Sequence, residues 1–284
     1  ELDLVTPQTR VFSNGEFYIE GYNRPYRDWK DTGHGWVDIG GALEQSVNTY
    51  FYKLAMDMGI DRMHDYLAQF GFGSVTGIDV PGEGRGLLPS REWKRAAHGQ
   101  PWYPGETVIA GIGQGFNVVT PLQLANALAA LVNGGTRYAP RLLYASKPAG
   151  VERAKRIKAP VRFEVPVRDP QDWQTILDGM DRVVNGLRGT AKRIAVDAPF
   201  RIGGKTGTAQ VYQLAADKQY DVNKVAEHLR DHALFIAFAP VDAPRIAVVA
   251  VVEHGGAGST AAAPVARATL VAWLEQEIER ELQP

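Results

Sequence analysis

The chain has 284 residues, with 31 Lys and Arg against 32 Asp and Glu, 45% hydrophobic residues and no cysteine. This is the composition of a globular protein with enough apolar residues for a core, and it excludes an intrinsically disordered chain. A formal net charge of −1 provides no electrostatic basis for nucleic-acid binding, and the lack of cysteine excludes a disulfide framework, a cysteine nucleophile and a thiolate metal site.

The first residues, Glu1-Leu2-Asp3-Leu4, contain neither an initiator methionine nor the charged and apolar regions of a signal peptide. We therefore expect the chain to be cut from a longer protein. The longest apolar runs, residues 233–241 and 246–252, are far shorter than the roughly 20 residues that span a bilayer.

Several helices are predicted in the first half of the chain. Residues 38–58 carry apolar side chains at a period near 3.6 and stop at Gly59, which predicts a helix that Ser46 could interrupt. Residues 61–70 predict a second helix. Between residues 74 and 115, Gly and Pro are so frequent that we predict loops with short helical turns. A further helix should begin at Pro121, with Thr120 as its cap and Gly134-Gly135 at its end.

The second half of the chain predicts strands and two more helices. Residues 141–168 are basic and interrupted by proline, which favours a surface excursion, and residues 171–185 predict a helix. Strands are predicted at 200–211, 233–239 and 245–253, and the last two are nearly continuous apolar runs, typical of central strands covered on both faces. Their short connection favours an antiparallel hairpin. Leu270, Leu274, Ile278 and Leu282 recur every four residues, which predicts a helix along the sheet.

The first candidate site is Lys205-Thr206-Gly207-Thr208, inside a predicted strand and preceded by Gly203-Gly204. Glycines weaken a strand, so their density here indicates close approach of another backbone or a ligand. A lysine with neighbouring hydroxyls could hold a carboxylate, while strand N–H groups could stabilise an oxyanion. The alternative is an edge strand whose polar residues are simply solvated.

The second candidate site is Ser46-Val47-Asn48, where the helical pattern could break. Taken alone, this tripeptide favours a turn or a helix cap. A Ser-x-Asn followed far downstream by Lys-Thr-Gly-Thr resembles two of the three active-site motifs of penicillin-binding proteins and serine β-lactamases.

Further segments resemble class B penicillin-binding proteins of the elongation-specific type. These segments are Tyr26-Arg27-Asp28-Trp29, Gly33-His34-Gly35, Phe70-Gly71-Phe72-Gly73, Thr76-Gly77-Ile78-Asp79, Gly111-Ile112-Gly113-Gln114-Gly115, Thr120-Pro121-Leu122-Gln123, Leu229-Arg230-Asp231-His232 and Gly255-Gly256-Ala257-Gly258. The resemblance implies an α+β fold of the penicillin-binding protein and serine β-lactamase type, with an antiparallel sheet flanked by helices and a helical subdomain. We expect residues 1–135 to form the mainly helical subdomain and the cleft, and residues 136–284 to hold the sheet, the Lys-Thr-Gly-Thr strand and the C-terminal helix.

The resemblance also implies a D,D-transpeptidase that crosslinks peptidoglycan stem peptides through a serine acyl-enzyme and is a target of β-lactam antibiotics. In that reaction Ser46 would relay a proton at the reacting amines, and Lys205 would hold Ser46 and keep the site positive. Four residues would bind the substrate. Asn48 would bond a substrate backbone amide, and Thr206, Gly207 and Thr208 would bind the terminal carboxylate, with the Thr208 N–H in the oxyanion hole.

The nucleophile of this family is the serine of a Ser-x-x-Lys motif, and the sequence upstream of Ser46 offers only Ser13, in Ser-Asn-Gly-Glu. We therefore expect the nucleophile to lie outside this chain and the chain alone to be inactive. The family further implies a periplasmic domain, an N-terminal helix outside this chain that anchors it to the inner membrane, and a membrane-embedded glycan polymerase as partner. No cofactor and no nucleic-acid partner are expected.

Other interpretations stay open at this stage. A serine β-lactamase or penicillin sensor would share the fold, and an inactive fragment or interaction module would explain the missing nucleophile. His228 and His232 are spaced i, i+4 as in a zinc helix, but Leu229 stands where Glu is required. Asp28 and His34 match two ligands of a zinc site in some elongation-type members, but without cysteine we expect no metal. Residues 111–115 lack the spacing of a nucleotide loop, so we expect a close-packed turn near the cleft.

Overall fold

The computed structural model describes residues 2–211 and 225–282. The helices of the described residues are α1 (Ile39–Gln45), α2 (Asn48–Met58), α3 (Ile60–Gln69), α4 (Arg91–His98), α5 (Pro104–Ala110), α6 (Pro121–Val132), α7 (Pro170–Asn185) and α8 (Ala262–Leu282). The strands are β1 (Val11–Ser13), β2 (Glu16–Phe17), β3 (Tyr26–Arg27), β4 (Gly35–Val37), β5 (Thr136–Tyr138), β6 (Ala145–Ser146), β7 (Lys155–Arg156), β8 (Val161–Glu164), β9 (Gly203–Ala209), β10 (His232–Ala239) and β11 (Ile246–Val252). This mixture of helices and antiparallel strands confirms the predicted α+β class.

The main sheet of the described residues has the order β11-β10-β9, and both pairings are antiparallel. The predicted hairpin of β10 and β11 is confirmed. β10 is central, as predicted, but β11, which was also predicted to be central, lies at an edge of the described sheet. An apolar run shows that both faces of a strand are covered, and it does not show that the strand has a neighbour on each side. Side chains of α8 pack on one face, and α6 and α7 pack on the other.

The helix along the sheet is also confirmed. Leu270 and Leu274 of α8 are buried against the strands, whereas Ile278 is 40% exposed. The side chain of Leu282 lies outside the part that the structure describes. Every helix among the described residues is too short or too polar to cross a membrane.

Local caps explain where the helices of the first half begin. The Asp38 carboxylate accepts a bond of 2.7 Å from the Gly41 N–H at the start of α1. The predicted start of α6 is confirmed, because Thr120 and Gln123 form a capping box there. Loops with short helical turns are predicted between residues 74 and 115, and two short helices lie there, α4, which the Ser90 hydroxyl caps, and α5.

The basic segment after β5 is a surface excursion, as predicted. It holds the small β6–β7 pair, and β8 pairs with β5 while all four of its residues stay exposed. The division of the chain at residue 135 stays a prediction.

Candidate active site

The predicted interruption at Ser46 is confirmed as a sharp turn between two helices. α1 ends there, and Ser46 has φ 56° and ψ 49°, the left-handed conformation that is uncommon for a residue with a side chain. Val47 follows fully buried and α2 begins at Asn48. The turn is therefore anchored by a core side chain, and it separates Ser46 from both helices.

The structure brings Ser46 and Lys205 together across 159 residues of sequence. The Lys205 Nζ atom donates to Ser46 Oγ at 2.8 Å and to the Thr206 carbonyl oxygen at 2.9 Å. The residue is partly exposed at the cleft, but its ammonium group is surrounded by protein. This burial lowers the pKa of Lys205 from 10.5 to about 8. The ammonium group is therefore the predominant form at neutral pH, held against a serine hydroxyl.

The Lys-Thr-Gly-Thr residues lie on a strand edge that faces the helices. β9 pairs with β10 on one side, and no strand of the described residues pairs with its other edge. The Thr206 and Thr190 hydroxyl oxygens lie 3.1 Å apart, which groups hydroxyls beside the lysine. Because backbone groups two residues apart in a strand point the same way, Thr206 and Thr208 present theirs to the same edge.

The glycines of β9 allow close packing, as the sequence indicated. A Cβ on Gly204 would lie 2.6 Å from the Ile236 carbonyl oxygen, and a Cβ on Gly258 would lie 2.6 Å from the Gly207 carbonyl oxygen. The segment after β11 is thus pressed directly onto the backbone of β9 at Gly207. The close backbone approach predicted from the glycines is present on both sides of the lysine.

Asn48 lies two residues beyond Ser46, as the first residue of α2. Its side chain bonds to that of Tyr52, while burial, the larger effect, raises the pKa of Tyr52 to about 12. The Tyr52 hydroxyl donates to the Arg27 carbonyl oxygen at 3.2 Å. Tyr52 thereby links the Asn48 side chain to β3.

A buried polar network behind the Ser46 turn was not predicted as part of a site. The Asp28 carboxylate is buried and accepts bonds from the Thr49 N–H at 3.0 Å and the Thr49 hydroxyl at 3.1 Å. It thereby caps α2, whose own cap residue has no side-chain bond. His34 Nε2 lies 3.2 Å from the same carboxylate. In the sequence, Asp28 and His34 stand out as part of segments that resemble the family and as a match to two ligands of a zinc site, and neither signal points to a helix cap.

Trp29 and Glu44 are two further supports of the turn that sequence reasoning missed. The Trp29 indole N–H donates to the Gln45 and Ser46 carbonyl oxygens, each at 3.1 Å. The Glu44 carboxylate accepts from Arg182 of α7 at 2.6 Å and from the Arg188 N–H at 3.0 Å. Helix α1 is in this way tied to the chain that leads into β9.

The arrangement of the candidate metal ligands differs from that of a zinc helix. His228 lies in a short 3-10 turn, whereas His232 begins β10, so the two do not share a helix. The His232 ring instead packs against His254, with ring centroids 4.7 Å apart. Among residues 2–211 and 225–282, no three His, Cys, Asp or Glu side chains are grouped closely enough to hold a metal ion.

The glycine-rich segment 111–115 is a tight turn at the cleft, as predicted. It follows α5, and the side-chain amide of Gln114 donates to the Thr208 carbonyl oxygen at 3.0 Å. This bond joins the turn after α5, on one side of the cleft, to the open edge of β9 on the other.

Comparison with known proteins agrees with this geometry. Residues 3–271 match the family model described as the penicillin binding protein transpeptidase domain. The peptidoglycan D,D-transpeptidase MrdA of Escherichia coli K12 is 42% identical over 257 residues, which are 90% of this chain and 40% of that protein. The chain thus spans about 40% of the length of this curated relative.

Two solved structures have the same fold over almost the whole chain. The crystal structure of Pseudomonas aeruginosa PBP2 in complex with WCK 5153 is 42% identical, has a TM-score of 0.81 and covers 96% of this chain and 55% of its own. A second solved structure, described by the words "Structural coordination of polymerization and crosslinking by a peptidoglycan synthase complex", contains a chain that is 31% identical to this one, with a TM-score of 0.77. It covers 95% of this chain and 43% of its own.

Proposed function

The chain belongs to the penicillin-binding protein transpeptidase domain family, and from that premise we propose that the whole protein is a peptidoglycan D,D-transpeptidase. The observation that carries the proposal is the contact of 2.8 Å between Lys205 Nζ and Ser46 Oγ. It joins two motifs 159 residues apart, one at a left-handed helix break and one on an open strand edge. A hydroxyl held by a buried cation is suited to moving a proton in acyl transfer.

The reaction proceeds in two steps through a serine ester. A serine Oγ attacks the carbonyl carbon of the peptide bond that joins two D-alanines and gives up its proton. The bond breaks, and the terminal D-alanine leaves after its amine takes up a proton. An amine of a second stem peptide then attacks the ester, loses a proton and releases the serine. The 284 residues contain no Ser-x-x-Lys sequence, so the acylated serine belongs to the part of the protein outside this chain.

Ser46 and Lys205 serve the proton transfers of both steps. The Ser46 hydroxyl can accept and donate at the same oxygen, so it can pass a proton to the leaving amine and take one from the attacking amine. The Lys205 ammonium, with a pKa of about 8, keeps Ser46 oriented and the site positive at neutral pH. A positive site also attracts the terminal carboxylate of the stem peptide.

The substrate lies along the open edge of β9 in this proposal. Thr206 and Thr208 bind the terminal carboxylate through their hydroxyls, and Gly207 leaves the strand narrow enough for the close approach. The Thr208 N–H stabilises the oxyanion of the tetrahedral intermediate. Asn48, at the start of α2, bonds a backbone amide of the stem peptide from the opposite wall.

We extend the proposal to the setting of the protein in the cell. A periplasmic domain, held to the inner membrane by a segment outside these 284 residues, would meet stem peptides where they are crosslinked. A membrane-embedded glycan polymerase is the proposed partner. Its support is the similarity to a chain in a peptidoglycan synthase complex whose description joins polymerization and crosslinking.

Labelling of the full-length protein with a fluorescent penicillin tests the proposal, because penicillins acylate the nucleophile of this family. We expect Ser46→Ala and Lys205→Ala each to slow acylation by about 10²- to 10⁴-fold while circular dichroism and the melting temperature show an intact fold. Ser146→Ala and Lys158→Ala are matched controls, since both residues are exposed on the surface excursion. Near-normal acylation of both site variants would refute the assignment.

Two further arms of the same experiment separate the competing interpretations. Rapid release of the label and steady turnover of penicillin would indicate a β-lactamase, whereas a transpeptidase should keep the label for much longer. Labelling of the 284-residue chain on its own would show that the nucleophile lies within it and has been misassigned.

A further inference from the structure

The turn that follows α5 holds one side chain out towards the edge of β9. Gly113 has φ 77° and Gly115 has φ 74°, so Gln114 stands between two residues in the conformation that favours glycine. The Gln114 N–H donates to the Ile109 carbonyl oxygen at 3.2 Å, and the Asn117 side chain donates to the Gln114 carbonyl oxygen at 2.9 Å. The backbone of Gln114 is therefore held by two hydrogen bonds, and a rotation of its side chain does not require the turn to move.

The Gln114 side chain reaches across 94 residues of sequence to an acceptor on the substrate-binding strand. Its Nε2 atom lies 3.0 Å from the Thr208 carbonyl oxygen. No strand of the described residues covers this edge of β9. The Thr208 carbonyl oxygen, which could accept a backbone N–H from an added strand, thus already accepts a bond from the Gln114 side chain across the cleft.

An extended peptide that pairs with an open strand edge donates its backbone N–H groups to the carbonyl oxygens of that edge. A carbonyl oxygen has two lone pairs, but a peptide along β9 would fill the space that the Gln114 amide crosses to reach Thr208. The peptide and the Gln114 amide therefore compete for one acceptor.

We infer that Gln114 is a specificity-determining residue, whose side-chain amide occupies the Thr208 carbonyl until a ligand amide N–H displaces it. The inference rests on the proposed function, because it assumes that acyl donors bind along β9. A ligand with an amide N–H next to its reactive carbonyl replaces the lost bond with one of its own. A ligand without that group gains nothing from the displacement.

The test compares two penicillins on the full-length protein. Benzylpenicillin carries an acylamino N–H next to the reactive ring, whereas penicillanic acid has hydrogen in place of that whole group. Second-order acylation rates are measured by competition with a fluorescent penicillin for the wild type, Gln114→Met and Gln114→Asn. Methionine keeps the bulk without the donor, and asparagine keeps the amide on a shorter side chain. Gln174→Met, at an exposed position of α7, is the matched control.

We expect both Gln114 variants to accelerate acylation by benzylpenicillin about two- to tenfold, the worth of one neutral hydrogen bond. Acylation by penicillanic acid should change less than about twofold, so the ratio of the two rates rises. Equal changes for both penicillins, or a lower ratio of the benzylpenicillin rate to the penicillanic acid rate, would overturn the inference. Gln114 would then only hold the turn after α5 against β9. Failure of the wild type to be acylated by either compound would instead refute the proposed function.

Discussion

The buried ammonium of Lys205 should make the stability of the fold depend on pH in a way that one substitution removes. Burial lowers the pKa of Lys205 from 10.5 to about 8. Below pH 8 the lysine is charged in both the folded and the unfolded chain, and the folded state bears the full cost of burying the charge. A change of pKa from 10.5 to about 8 corresponds to a cost of about 3 kcal/mol.

The sign of the effect follows from which state binds the proton. Between pH 8 and 10.5 the folded protein has lost the proton on Lys205 while the unfolded chain keeps it. The free energy of unfolding should therefore rise with pH in this window, by up to about 1.4 kcal/mol per pH unit. Lys205→Met has no such proton, so its stability should lack this contribution.

Urea unfolding followed by tryptophan fluorescence at pH 7, 8, 9 and 9.5 measures the effect. We expect the free energy of unfolding of Lys205→Met minus that of the wild type to fall by about 2 kcal/mol between pH 8 and 9.5. Other titrating groups cancel in this difference, and Lys158→Met, at an exposed position, should show no trend. A difference between Lys205→Met and the wild type that is constant from pH 7 to 9.5 would refute the reasoning.

The remaining predictions concern the supports of the site. Asp28→Asn removes a buried carboxylate that accepts two bonds at the start of α2, so it should lower the free energy of unfolding by about 2 to 4 kcal/mol. The same change at the exposed Asp57 should cost under about 1 kcal/mol. An equal melting temperature for the two variants would contradict this role of Asp28. Gly258→Ala places a Cβ against the Leu234 carbonyl oxygen of β10 and 2.6 Å from the Gly207 carbonyl oxygen of β9, so it should displace both strands and slow acylation by about tenfold or more. Gly84→Ala, whose nearest contact would be an ordinary 3.5 Å, should acylate normally, and normal acylation of both glycine variants would show that β9 tolerates the displacement.

Much of the fold could be read from local patterns. The helical period, the stop at Gly59 and the proline at the start of α6 are properties of neighbouring residues, so they predicted most helix positions within a few residues. The interruption at Ser46 was visible because serine and asparagine compete for backbone bonds inside a helix. Between residues 74 and 115 the sequence predicted short helical turns without their bounds, because frequent Gly and Pro interrupt the helical period, whereas in the structure the Ser90 cap fixes the start of α4.

The family, the α+β class and the candidate residues Ser46, Asn48 and 205–208 could all be identified from the sequence, because short motifs in a set order mark them. Which of these groups come into contact depends on the tertiary structure. The Lys205 and Ser46 contact spans 159 residues and the Gln114 and Thr208 bond spans 94. The Asp28 cap of α2 likewise joins residues 21 apart. Such pairs depend on how helices pack against the sheet, and the spacing of residues along a chain carries no record of that packing.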